Sequence, residues 1–233
     1  MHLIMIEKRA RRLIALLAVA GAPAVLMIWY RMHQSTGFAS TELIVYPLVF
    51  GGLGILLIGL LKHFFLGESL TSLNSGEGRI ATDIAWGIVL TVIYFVLFFG
   101  ARFTLSDLLA FTPNRELLGL MLDMRESPWM VALWFGPVLW IGIALYEELV
   151  RTFLLSELWS FSASKLWISM VILIAAVLVG LTHWSQGPYG IVTIAIKGIV
   201  VGIFYFHRRR LLPLVIAHVL YDGLQVGTLL LTY

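Results

Sequence analysis

The sequence of 233 residues contains no cysteine. This absence excludes disulfide bonds, a thiolate nucleophile and metal sites built on thiolates, and it says nothing about the compartment. Charge is also scarce, since 12% of the residues are charged, about half the share found in an average soluble domain. The sequence has no long polar or low-complexity tract. We therefore expect no linker, no second domain and no nucleic-acid partner.

Apolar residues dominate instead. Hydrophobic and aromatic side chains make up 60% of the sequence, against about 45–50% apolar residues in an average soluble domain. A soluble fold of this length cannot bury that much apolar surface, so lipid has to cover much of it. We predict an all-α, polytopic integral membrane protein in the lipid bilayer, whose residues 1–233 form a single membrane domain.

Seven stretches are long and apolar enough to cross a bilayer, which requires about 20 residues per helix. They are Leu13–Tyr30, Leu43–Leu61, Ile84–Ala101, Met130–Leu155, Leu166–Trp184, Gly190–Phe206 and Leu211–Leu231. The first follows a basic segment, as in a signal peptide, but its apolar run is longer than that of a signal peptide. We expect about seven transmembrane helices around a polar cavity, and we expect the first to remain uncleaved.

Basic residues are distributed unevenly over the ends of these spans. If the N-terminus is cytoplasmic, eleven lie on the cytoplasmic side and four on the other. The eleven are Lys8, Arg9, Arg11, Arg12, Lys62, Arg79, Arg151, Lys165, Arg208, Arg209 and Arg210, and the four are Arg31, Arg102, Arg115 and Arg125. Lysine and arginine concentrate in cytoplasmic loops. We therefore expect a cytoplasmic N-terminus and a C-terminus on the opposite side.

Ionisable side chains inside the spans occur only in the second half of the chain. Each costs about 2.5–3.5 kcal/mol at the centre of a span on the translocon scale, so the group as a whole indicates a function. Its members are Glu147, Glu148, Arg151, His183, Lys197, His218 and Asp222. We expect residues 1–128 to be a scaffold and residues 129–233 to hold the site.

Helical spacing predicts which of the two glutamates pairs with Arg151 and which faces the cavity. Arg151 follows Glu147 by four residues and Glu148 by three, so it can reach either carboxylate. The two glutamates are about 100° apart around the helix and therefore face different neighbours. We assign Glu148 to Arg151, which keeps it ionised, and Glu147 to the cavity, where it can exchange protons.

Two histidines extend this constellation. His218 and Asp222 are four residues apart and share a helix face, so Asp222 can orient the imidazole or contact a substrate itself. A single buried histidine is more often structural than catalytic. His183 lies about 12 Å from the centre of its predicted span, at 1.5 Å per residue. It reaches the site only if the following segment, SQGPYG, dips into the membrane, where polar backbone is tolerated along a cavity.

Together these motifs resemble the CAAX protease and bacteriocin-processing family of intramembrane endopeptidases, also called CPBP or Abi. The resemblance rests on an EExxxR motif, a histidine that closes a later span, and an HxxxD motif in the last span, and it covers roughly residues 130–225. The matching residues are Glu147, Glu148, Arg151, His183, His218 and Asp222.

The resemblance implies a role for each of these residues. Glu147 would activate a water molecule for attack on a peptide carbonyl, with help from His183. His218 and Asp222 would stabilise the oxyanion. The supporting residues would be Glu148 and Arg151.

The family's last motif has aspartate or, often, asparagine at the position of Asp222. An ionised aspartate cannot donate a hydrogen bond to an oxyanion, so in that role Asp222 must be protonated or must act by orienting His218. The sequence departs from the family pattern at other positions. Val179 replaces an aromatic residue four positions before the family's second-motif histidine. Val150 and Thr152 flank Arg151 where the family often has phenylalanine and glycine. These changes leave the reacting groups in place but open the question of the substrate.

Two features of the constellation allow more than one interpretation. Glu147, His183, His218 and Asp222 are zinc ligands by type, but the sequence has no HExxH pair and a glutamate-activated water needs no metal. We expect no cofactor, with zinc as the alternative. Lys197 lies in the middle of its span, and we expect it to form an ion pair with Asp222 or Glu148, with substrate binding as the alternative.

The sequence therefore predicts an intramembrane endopeptidase that hydrolyses a peptide bond of a membrane-associated protein or peptide. The alternative is a non-catalytic membrane adaptor or immunity protein that binds a peptide or partner in the same cavity. An ion or proton carrier is a third possibility. Many carriers are built from internal repeats, and none is visible in this sequence.

Overall fold

The computed structural model describes residues 2–33, 39–105, 108–109, 115–183 and 186–232. Every regular element in these ranges is helical, which confirms the all-α prediction. The α-helices are α1 (His2–His33), α2 (Glu42–Leu60), α3 (Ile80–Leu105), α4 (Arg115–Arg125), α5 (Pro128–Leu133), α6 (Tyr146–Trp159), α7 (Lys165–Thr182), α8 (Gly187–Arg208) and α9 (Leu212–Thr232). The other elements are two π-helical segments, Leu61–Phe65 and Trp134–Leu145, and a 3₁₀ turn, Leu70–Asn74.

Within the described residues, six helices are long and apolar enough to cross a membrane. They are Glu42–Phe65, Ile80–Leu105, Pro128–Trp159, Lys165–Thr182, Gly187–Arg208 and Leu212–Thr232, and they overlap the second to seventh predicted spans. Helix α1 runs through the predicted first span, Leu13–Tyr30, but is not among the six. The chain is thus a multi-pass integral membrane protein, close to the seven spans expected.

The span that carries the glutamate pair is not a regular helix. Between α5 and α6, the segment Trp134–Leu145 is π-helical, and Gly136 leaves the helical region with φ −87° and ψ −113°. Gly136 precedes Pro137, and proline disfavours the helical conformation in the residue before it. Short π-helical segments within a longer helix often occur at functional sites. Here the irregular stretch ends directly before Tyr146, the first residue of α6.

Glycines allow this irregular segment to contact α2 backbone to backbone. A Cβ atom on Gly51 would meet the backbone of Gly142, and one on Gly142 would lie 2.7 Å from the carbonyl carbon of Pro47. Such short separations leave no room for a side chain. The crossing therefore fixes where the helix that follows, α6, begins.

We expect Gly142→Val to destabilise the protein, because backbone atoms of α2 cannot move aside for the new side chain. The thermal midpoint in detergent, measured by size-exclusion chromatography of heated samples, should fall clearly. Gly52→Val is the matched control, since a Cβ atom there meets nothing within 4 Å. Equal midpoints for the two variants would contradict the tight crossing.

A second pair of close contacts holds the helices on the other side of the bundle. Thr91 of α3 donates a hydrogen bond to the carbonyl of Ala217 in α9, at 3.4 Å. Gly198 and Gly202 of α8, four residues apart, face α7, and a Cβ atom on Gly198 would lie 3.0 Å from Cα of Ala176. The hydrogen bond thus joins α3 to α9, and the small residues let α8 pack closely against α7.

Four charged side chains join α1 to α6 at one end of the bundle. Glu157, which is buried, is paired with Arg12 and, at 2.9 Å, with Lys62. Glu68 is paired with the same two cations. Burial alone would raise the pKa of Glu68, but the hydrogen bond from Lys62 and the charges of Lys62 and Arg12 hold that pKa below its usual value. The cluster fixes α1 against the helix that carries the glutamate pair.

Candidate active site

The six residues predicted to form the site lie around one cavity. Helix α6 supplies Glu147, Glu148 and Arg151, the end of α7 supplies His183, and α9 supplies His218 and Asp222. Helices α3 and α8 complete the wall. The remaining lining residues are Tyr94, Phe98, Gln186, Tyr189, Gly190, Thr193, Ile194, Lys197, Val201, Tyr221 and Gln225.

Glu148 and Arg151 form the buried pair that the helical spacing predicts. Arg151 Nη1 lies 2.7 Å from Glu148 Oε1 and 2.9 Å from Oε2, and both residues are buried. Charged groups out of contact with water need such partners, because an isolated buried charge is very costly. The pair keeps Glu148 as an anion that can hold other groups in place.

His218 links α9 to α6 through carboxylates on both sides of its ring. Its Nδ1 atom lies 2.9 Å from Glu148 Oε1, and its Nε2 atom lies 3.2 Å from Asp222 Oδ2. An imidazolium ring donates one hydrogen bond from each nitrogen, whereas a neutral ring donates only one. Two flanking carboxylates therefore favour the charged ring, held in a fixed orientation.

Glu147 differs from Glu148 in both partner and exposure. The nearest cationic atom to its carboxylate is His218 Nε2, at 3.9 Å, which is too long for a hydrogen bond. Its side chain is 34% exposed, whereas that of Glu148 is 2% exposed. Adjacent glutamates thus have separate environments. Glu147 faces the cavity with oxygens that are available to a water molecule, and Glu148 is held by Arg151 and His218.

His183 follows α7 and lies on the cavity wall. Its Nδ1 atom is 3.0 Å from the carbonyl oxygen of Val179 and 3.1 Å from Thr182 Oγ1. Because a carbonyl oxygen only accepts, Nδ1 carries the hydrogen, and Nε2 of the neutral ring is then an acceptor. His183 can therefore receive a hydrogen bond through Nε2.

The segment after His183 also contributes to the cavity. Trp184 and Ser185 lie outside the described residues, but Gln186, Tyr189 and Gly190 line the wall. The described part of the segment predicted to dip inward thus faces the same space as the site residues. Helix α8 begins there, at Gly187, whose φ of +73° suits a residue without a side chain.

The predicted ion pair of Lys197 is wrong. Neither Asp222 nor Glu148 lies within 4 Å of its amine in the structure, and both carboxylates contact His218 instead. Lys197 Nζ lies 3.9 Å from the centroid of the Tyr221 ring and 5.8 Å from that of Tyr94. These are cation–π distances, so aromatic faces take the place expected for a carboxylate.

Helix α3, which the sequence predicts to be scaffold, also contributes to the cavity wall. Tyr94 and Phe98 lie on the cavity wall, and Tyr94 is buried with its ring edge-on to Tyr221, at 5.8 Å between centroids. The available signal was a tyrosine in the middle of an otherwise apolar span. Which side chains surround such a tyrosine depends on how the helices pack. Residue spacing along one helix does not predict that packing.

The donor set does not fit a zinc ion. Zinc binds an unprotonated imidazole nitrogen, usually in a tetrahedral set of ligands, but both nitrogens of His218 face carboxylates within 3.2 Å. Among the residues described, no group of three or more histidine, aspartate or glutamate side chains is arranged to hold a metal ion.

Comparison with known families identifies the segment that carries the site. Residues 127–224 match the family model described as Rce1-like, type II CAAX prenyl endopeptidase Rce1-like. The match confirms the resemblance to CAAX proteases, and it includes all six predicted site residues, although it spans less than half of the chain. Comparisons with curated proteins and with solved structures gave no match.

Proposed function

We propose that this chain, whose residues 127–224 match the family model of type II CAAX prenyl endopeptidases, hydrolyses a peptide bond with a water molecule activated by Glu147. The observation that carries the proposal is the unequal environment of the glutamate pair. Glu148 is neutralised by Arg151, whereas Glu147 faces the cavity at 34% exposure without such a partner. A binding module does not need a free carboxylate at that place, but a general base does.

In the first step, Glu147 accepts a proton from water as the water oxygen forms a bond to the carbonyl carbon. The π electrons of the carbonyl move to its oxygen, which becomes an oxyanion. His183 can accept a second hydrogen bond from the same water through Nε2 and so orient it. Because a base has to lie within hydrogen-bond reach of the proton it takes, the attacking water has to bind between the Glu147 carboxylate and Nε2 of His183.

In the second step, the oxyanion re-forms the carbonyl and the carbon–nitrogen bond breaks. The leaving nitrogen takes the proton that Glu147 received, which restores the carboxylate. The products are a carboxylic acid and an amine, and no electron is gained or lost overall. The positive charge of the His218 ring stabilises the oxyanion of the intermediate electrostatically.

The proposed substrate is a membrane-associated protein or peptide, because the site lies on helices that are long and apolar enough to span the bilayer. The matching family is described by its action on prenylated CAAX sequences. A peptide ending in a farnesylated cysteine, two aliphatic residues and a final residue is therefore the first probe, with the same peptide lacking the farnesyl group beside it.

The test uses the purified protein in liposomes with these quenched fluorogenic peptides, each with and without a chelator. Cleavage of a peptide at a defined bond that persists with chelator supports the proposal. Cleavage lost on chelation and restored by zinc would contradict the metal-independent mechanism. Binding of the peptides without cleavage would favour the alternative, a non-catalytic membrane adaptor or immunity protein.

We also propose that the N-terminus faces the cytoplasm, from the excess of basic residues on that side of the spans. The chain lacks cysteine, so single cysteines can report sidedness without further changes. In intact cells, a membrane-impermeant maleimide should label Thr232→Cys but not Glu7→Cys, while both react after permeabilisation. The reverse labelling pattern would overturn the orientation.

A further inference from the structure

The site as predicted has too few hydrogen-bond donors for an oxyanion. Both nitrogens of His218 already point at carboxylates, Nδ1 at Glu148 and Nε2 at Asp222. Asp222 accepts the hydrogen bond from His218, so its oxygens do not act as donors there. The charge of His218 can stabilise an oxyanion, but its N–H groups are occupied. The donor has to come from another part of the wall.

Lys197 is a cation on that wall with no anionic partner. Its side chain lines the cavity from α8, and in the described part of the chain its amine makes no hydrogen bond or ion pair. The other two cationic side chains of the cavity are both paired: Arg151 with Glu148, and His218 with Glu148 and Asp222. Lys197 therefore differs from them in having donors that remain available.

The surroundings of Lys197 fix where its amine can lie. The face of Tyr221 holds Nζ at 3.9 Å from the ring centroid, with the Tyr94 ring at 5.8 Å. Tyr221 precedes Asp222 in α9, and both side chains line the same cavity as Lys197. A cation–π contact leaves the N–H groups on the far side of the amine free.

We propose that Lys197 donates a hydrogen bond to the oxyanion that forms on the substrate carbonyl, in place of the donor that Asp222 cannot supply. The inference rests on the proposed hydrolysis by Glu147. A preorganised cation near the carbonyl oxygen stabilises charge that exists only in the intermediate and the transition states next to it. Before the water attacks, the amine interacts only weakly with the substrate carbonyl, because that carbonyl carries no net charge.

Lys197 could instead bind an anion already present in the substrate, such as a C-terminal carboxylate. The two roles differ in kinetics. An interaction made only in the transition state changes kcat, whereas one made equally in the ground state changes KM. We therefore expect Lys197→Met to lower kcat about 10²-fold for the farnesylated peptide, the usual cost of one oxyanion donor, with KM changed less than threefold. Lys197→Arg should recover part of kcat, because it retains a cationic donor.

Two controls separate this effect from damage to the fold. Lys165→Met removes an exposed lysine at the start of α7, outside the cavity, and should leave both constants unchanged. Tyr205→Phe removes a buried hydroxyl that bonds the carbonyl of Leu73 at 2.9 Å, also outside the cavity. This variant lowers stability without touching the site, so a loss of kcat caused only by instability would appear in it as well.

Binding of a phosphinic analogue of the same peptide provides a readout that does not need turnover. Its tetrahedral, anionic phosphorus centre mimics the intermediate. Lys197→Met should weaken binding of the analogue at least tenfold, while the uncleaved peptide binds a Glu147→Gln background equally well with or without Lys197→Met. Equal losses for both ligands, or a change in KM alone, would overturn the oxyanion role. Full cleavage by Glu147→Gln would refute the proposed function itself, whatever Lys197 does.

Discussion

Glu147→Gln should abolish peptide cleavage, lowering kcat by about 10²- to 10⁴-fold, the range that general base catalysis contributes. Glutamine has nearly the same shape, but its amide cannot accept the proton of the attacking water. The change should cost little stability, because the Glu147 carboxylate is part-exposed and, among the described residues, has no ion pair with an arginine or lysine. Single-turnover rates on the farnesylated peptide would measure the effect on the chemical step.

Glu126→Gln is the matched control, because Glu126 is an exposed glutamate outside the cavity. Its rate should equal that of the wild-type protein. Cleavage by Glu147→Gln within a factor of three of wild type would show that another group activates the water. Retention of peptide binding by the inactive variant would show that the loss concerns catalysis and not access to the cavity.

Arg151→Met should cause the largest loss of stability at the site. Glu148 is buried and holds its charge against Arg151 on one side and His218 on the other. Removal of the arginine leaves a buried carboxylate with one partner fewer, and such changes cost about 3–5 kcal/mol. The thermal midpoint in detergent should fall strongly, while that of Arg125→Met, an exposed arginine, should not change.

A double variant identifies the cause of that loss. If the unpaired carboxylate is responsible, Glu148→Gln together with Arg151→Met should be more stable than Arg151→Met alone, because no charge is then left buried. Such non-additivity is the signature of a direct interaction. Additive losses from the two single changes would mean that Arg151 stabilises the fold through its packing instead.

The sequence was sufficient for features that depend on one helix at a time. Apolar length predicted the spans, and residue spacing predicted the pair between Glu148 and Arg151, since residues three apart share a face. Spacing of four likewise predicted the contact between His218 and Asp222. In each case the contact follows from helical geometry alone, so no knowledge of the neighbouring helices was needed.

Features that depend on how helices meet were not predictable in this way. The contact between His218 and Glu148 joins α9 to α6, and the sequence does not give the rotation of one helix against the other. Lys197 shows the same limit, because its length and charge suggested a carboxylate partner, whereas packing placed Tyr221 against its amine. The kink at Gly136 and the π-helical segment that contains it were also missed, although Pro137 marks the place.

The most direct test of attack by a water molecule is a single turnover in water enriched in oxygen-18, followed by mass spectrometry of the peptide product and of the protein fragment that contains Glu147. Direct attack by a water activated by Glu147 predicts one heavy oxygen in the new carboxylate of the product and none in the side chain of Glu147. Heavy oxygen in the Glu147 side chain would contradict the account, because it would show that this carboxylate attacks the peptide itself and is released by water afterwards.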